Sequence, residues 1–132
     1  MIVFDSSIYI DDLRSGRFSE RIAGIGDLIR NSSVVLAELW RGATNAAEER
    51  FLVWLANHYP LLTPTENQWI ESGRILRRVQ KDHGFEAAKL RDLHFDVLIA
   101  LTARAHGARL ITSNRADFEL IWEYREFSLE VW

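Results

Sequence analysis

The chain predicts an α/β fold built on a mainly parallel central sheet with helices packed against it. Two observations carry that prediction. Short apolar, β-branched runs at Ile2-Val3-Phe4, Ser33-Val34-Val35 and Arg109-Leu110-Ile111-Thr112 are separated by stretches of helical period. These runs are apolar throughout rather than alternating, as strands covered on both faces require. A third observation sets the scale. The 132 residues suit one domain, 1–132, whose core needs no covalent staple. Hydrophobic residues make up 48% and charged residues 27%, an ordinary globular balance that excludes a disordered chain. There is no cysteine, which excludes a disulfide scaffold, thiolate zinc, iron–sulfur ligation and a cysteine nucleophile. That composition suits a reducing compartment, so a cytoplasmic location is expected. No apolar run approaches the ~20 residues of a membrane helix, and the first residues lack the shape of a signal peptide.

The elements follow in order. Ile2-Val3-Phe4 reads as a buried strand ending at Asp5, and Ser6 and Ser7 offer caps for a helix over 8–13. Gly16 breaks it, and Phe18, Ile22, Ile25, Leu28 and Ile29 predict a second helix. Residues 33–35 read as the second strand and 36–42 as a helix start; 46–57 is helical in period. Residues 59–63 contain Pro60, which confines them to an edge strand or an extended link. Thr65 caps a long helix running to about Asp82, and Gly84 ends it. Residues 96–106 form a helix, apolar almost all round over Val97–Leu101 and therefore buried on more than one face, which closes at Gly107. Residues 109–112 are a clear strand and 127–131 a last one.

Sites in parallel sheets form beyond the carboxyl ends of the strands, which selects four acids. Asp5 follows the first strand, Glu38 the second, and Asp117 lies five residues past Thr112; Asp96 faces them from the start of its helix. Each acid alone has an ordinary reading as a cap, a turn residue or a solvated side chain. Gathered together, they repel one another and resist ionisation unless a cation is present. Oxygen ligands and no cysteine select Mg²⁺ or Mn²⁺, ions suited to phosphoryl displacement.

The same residues resemble the PIN-domain ribonucleases, most closely the VapC-type toxins of toxin–antitoxin pairs. Four blocks carry the resemblance in order: Ile2-Val3-Phe4-Asp5-Ser6-Ser7; Leu36-Ala37-Glu38-Leu39-Trp40-Arg41-Gly42; His94-Phe95-Asp96 with the apolar helix after it; and Leu110-Ile111-Thr112-Ser113-Asn114-Arg115-Ala116-Asp117-Phe118. Phe95 departs from the pattern, where relatives often carry Asn; the acid itself is in place. The resemblance implies a three-layer α/β/α fold and Mg²⁺- or Mn²⁺-dependent cleavage of RNA. It implies that Asp5, Glu38, Asp96 and Asp117 bind metal, with Ser6, Ser7, Thr112 and Asn114 as supporting polar groups. It also implies a homodimer and a small VapB-like antitoxin whose C-terminal segment occupies the active-site groove.

The net charge of −3 argues against bulk attraction to nucleic acid, but its distribution is uneven. Between positions 74 and 91, Arg74, Arg77, Arg78, Lys81, Lys89 and Arg91 outnumber Asp82 and Glu86. Arg74, Arg77, Arg78 and Lys81 share one helix face, either a solvated face or a contact to RNA phosphates. Gly24-Ile25-Gly26 lacks the third glycine of a dinucleotide loop. The four histidines have no metal spacing; His94 stands nearest the acids, and Asp92 joins them only if its helix begins early. The five tryptophans read as core or dimer-interface residues before base-stacking ones. Two rival functions remain: a non-catalytic PIN-like module binding RNA or protein, and an aspartyl-phosphate phosphatase built on Asp5. The second wants another Asp at position 7, which is Ser7.

Overall fold

The computed structural model describes all 132 residues. It holds five strands, β1 (Ile2–Phe4), β2 (Ile29–Ser32), β3 (Leu61–Leu62), β4 (Arg109–Thr112) and β5 (Leu129–Val131), and seven helices. The helices are α1 (Ser6–Ser15), α2 (Ser19–Ala23), α3 (Ser33–Gly42), α4 (Ala46–His58), α5 (Glu66–His83), α6 (Ala87–Ala105) and α7 (Arg115–Tyr124). All strand pairs are parallel, in the order β3-β2-β1-β4-β5. The chain steps outward from β1 through β2 to the β3 edge, then crosses back to β4 and β5. Right-handed crossovers therefore place α1–α4 on one face and α5–α7 on the other, a three-layer α/β/α sandwich. Packing agrees: α1, α3 and α4 contact in series, as do α5, α6 and α7.

The predicted burial of β1 and β4 holds. Ile2, Val3, Phe4, Leu110 and Ile111 are all buried, as a sheet sandwiched between two layers demands. In α6 every residue from Asp96 to Ala103 is buried. Truncating Leu98 or Ile99 there would cost about 2–5 kcal/mol in lost burial and cavity formation. The helix stops forecast at Gly84 and Gly107 also hold, with φ of 65° and 64° that L-residues rarely adopt. Thr65 caps α5 through a capping box with Gln68.

Three local expectations are corrected. The second strand is Ile29–Ser32, not 33–35. The Ser32 side chain accepts from the Val34 and Val35 amides, so those β-branched residues form the first buried turn of α3. The polar sequence of β2 hid it: Asn31 is buried because its amide donates to the Leu55 carbonyl at 2.7 Å and its oxygen accepts from Tyr9. The helix expected to reach Ile29 stops at Ala23. Helix α6 begins at Ala87, nine residues before Asp96, because strong helix formers continue the pattern toward solvent. Helix α7 was not foreseen from the sequence; it follows Asn114 at once.

Candidate metal centre

The site lies at the point where the strand order reverses. β1 and β4 are neighbours there, and the chain leaves them in opposite directions. A crevice opens outside the carboxyl ends of such a strand pair. Asp5 ends β1 and caps α1, its carboxylate accepting from the Ser7 amide. The cap and the site acid are thus one residue. Its Oδ2 also accepts from the Ser7 hydroxyl at 2.7 Å and from the Thr112 hydroxyl at 2.9 Å, while Ser6 lies at 3.5 Å from Oδ1. Thr112 in turn accepts from the Asn114 amide at 2.9 Å, and Ser7 from the Ser113 amide at 3.1 Å. These short bonds tie β1 to β4 and pin one carboxylate oxygen.

Glu38 comes from the middle of α3 and Asp96 from the middle of α6. These helices belong to opposite layers yet touch each other, which brings their acids together. Asp5, Glu38 and Asp96 each present an oxygen within 4.8 Å of the others. Asp117, in the first turn of α7, lines the same pocket of about 630 Å³ but stands outside this three-acid convergence. Its Oδ1 accepts from Lys89 Nζ at 2.7 Å and its Oδ2 from the Asn114 side-chain amide at 3.1 Å.

Burial and mutual repulsion both act against the charge of these acids. Burial raises the Glu38 carboxyl to about 7; Asp5 pushes the same way and Arg41 opposes. Burial raises Asp96 to about 9, with Asp5, Glu38 and Asp117 adding to the effect and Lys89 opposing it. Glu38 Oε1 is buried and has no hydrogen-bond partner. An orphaned carboxylate oxygen among carboxylates is costly in a folded chain and is satisfied by a hard cation. The donor set therefore fits Mg²⁺ or Mn²⁺.

Ser6, Ser7 and Asn114 line the pocket, with Thr112 beneath Asp5. Arg74, Arg77, Arg78 and Lys81 do not line it; Arg74 and Arg78 face a separate cavity with Tyr124 and Arg125. The cations lining the acid pocket are Arg91, from the basic stretch 74–91, and Arg41, which the charge pattern did not single out. Arg41 lies three residues after Glu38 on the same helix face, and that spacing was the available signal. Its guanidinium sits 5.7 Å from the Phe95 ring, so the departure at position 95 supplies an aromatic wall. Asp92 and His94 reach the rim, and the His94 ring is bonded to Ser72, with its pKa lowered by burial. Trp40, Trp54, Trp69 and Trp122 are each more than 40% exposed rather than core residues, whereas Trp132 packs on Phe4 and Phe18.

Residues 2–121 match the family model of the PIN domain. The chain belongs to the PIN-domain family. Solved structures with this fold include VapBC2 from Rickettsia felis bound to a promoter DNA fragment, at 23% identity and TM-score 0.72, covering 100% of this chain and 99% of that one. VapBC-1 from nontypeable Haemophilus influenzae aligns at 24% identity and TM-score 0.71 over 100% and 98%. VapBC-5 of Mycobacterium tuberculosis, from the VapBC family of toxin–antitoxin systems, aligns at 23% identity and TM-score 0.64 over 98% and 95%. No curated protein matches the chain by sequence. No helix is long and apolar enough to cross a membrane.

Proposed function

We propose that the chain is the toxin of a VapBC-like pair, a Mg²⁺- or Mn²⁺-dependent endoribonuclease that hydrolyses RNA phosphodiester bonds. The observation that carries this is the convergence of Asp5, Glu38 and Asp96 around an unsatisfied carboxylate oxygen in a PIN domain. These three acids would hold the ion, with Asp117 as the fourth acid of the pocket. A bound divalent ion supplies Lewis acidity and lowers the pKa of water near a phosphodiester. The chain's own residues do the rest. Thr112 and Ser7 fix Asp5 through Oδ2 and leave Oδ1 with only the long Ser6 contact, and second-layer donors of this kind hold ligands at their working angle. Arg41 and Arg91 at the rim meet the negative charge of the RNA backbone.

The cognate antitoxin would be a small protein whose tail fills this pocket. A groove lined by Ile10, Leu13, Leu39 and Leu52 together with Arg14 and Glu48 shares Ile10 and Glu38 with the acid pocket. A segment with apolar side chains followed by a cation suits both halves. A homodimer completes the reading; its test is a solution mass twice the 15.3 kDa of the chain.

The deciding experiment is cleavage of a cellular RNA pool with Mg²⁺ or Mn²⁺. Wild type should cut, Asp5→Ala and Glu38→Gln should not, and expression of the wild type alone should arrest growth. Equal cutting by wild type and Asp5→Ala would refute the assignment. RNA binding without cutting would favour the non-catalytic module instead.

A further inference from the structure

Asp117 is held differently from its neighbours. Lys89 takes one of its oxygens and Asn114 the other, so the chain's own donors occupy both. Lys89 sits in the first turn of α6, seven residues before Asp96, on the helix face that points at the acids. A cation in a first turn opposes the helix dipole, so helix stability does not account for it. The ion pair itself is partly solvated, with side-chain exposures of 39% and 20%, and pairs of that kind add little stability. What remains is the charge of the pocket. The Lys89 ammonium is committed to Asp117, while the unsatisfied oxygen belongs to Glu38 on α3.

We propose that Lys89 stands where a second divalent ion would otherwise draw Asp117, so that the centre takes a single ion held by Asp5, Glu38 and Asp96. Lys89 is then a positioning residue: it keeps Asp117 turned from the ion and sets the stoichiometry. This rests on the reading above that these acids bind a divalent cation.

The test counts Mn²⁺ ions bound to the intact, RNA-free protein, by electron paramagnetic resonance titration of free Mn²⁺ and by calorimetry. Wild type should bind one ion per chain. Lys89→Met, which keeps length and removes charge, should bind two, and Lys89→Arg should return to one. Circular dichroism establishes that each variant is folded. Two ions on the wild type, or one on a folded Lys89→Met, overturns the inference and leaves the nuclease reading intact. No ion on the wild type overturns both.

Discussion

The Thr112 hydroxyl donates to Asp5 Oδ2 at 2.9 Å, from the end of β4 to the end of β1. One bond therefore joins the two strands at which the strand order reverses and orients the acid between them. Ser7 donates to the same oxygen at 2.7 Å, so the orientation has two supports. Thr112→Val keeps the shape and removes one of them. Mn²⁺ affinity should fall about tenfold, and about 100-fold when Ser7→Ala is added. Calorimetric titration measures both, and an unchanged affinity in the double variant would show that Asp5 needs no support.

Asp96 bears the largest cost in the ion-free protein, since burial and three neighbouring acids all resist its charge. Asp96→Asn removes that repulsion. The metal-free variant should be more stable than wild type by about 1–2 kcal/mol while losing cleavage, the usual trade between a functional site and stability. Urea denaturation in a chelator reads the first and RNA cleavage the second.

Ion binding should release protons. Asp96 near 9 and Glu38 near 7 hold protons at neutral pH that a divalent ion displaces. Mn²⁺ affinity and cleavage should therefore rise from pH 6 to pH 9. Calorimetry in buffers of different ionisation enthalpy would count the protons released.

The sign for stability is opposite. Both acids have folded values above their unfolded ones, so this part of the stability is complete below the ordinary carboxylate range and is lost as pH rises through about 7 and then 9. In a chelator the melting temperature should fall over that window. Asp96→Asn should flatten the upper part of the fall.

Arg41 and Arg91 line the acid pocket, whereas Arg74 lines another cavity. Removing either of the first two should lower the salt dependence of RNA binding by about one phosphate contact. Arg74→Ala should leave that slope unchanged. Binding of a fixed oligonucleotide at several salt concentrations, with the inactive Asp96→Asn background, separates the two.

Much of this protein is legible in its sequence, because strand cores and helix ends write themselves as local patterns. β1, β4, the cap at Thr65 and the stops at Gly84 and Gly107 all follow from apolar runs and backbone preference. Misreadings fell where tertiary partners override propensity. β2 is polar because Asn31 finds Tyr9 and the Leu55 carbonyl, and Val34-Val35 are helical because Ser32 caps them.

The acids themselves divide along the same line. Their types and their positions along the chain are properties of the sequence, and Asp5 could be located from the strand that precedes it. Only the folded molecule decided that Glu38 on α3 and Asp96 on α6 meet across two layers, that Asp117 turns to Lys89, and that Arg41 and Arg91 replace the basic face of α5 at the pocket. Helix periodicity records which face of a segment is buried, not which other helix it meets there, and it is the meeting of the two layers beyond the carboxyl ends of β1 and β4 that makes the site.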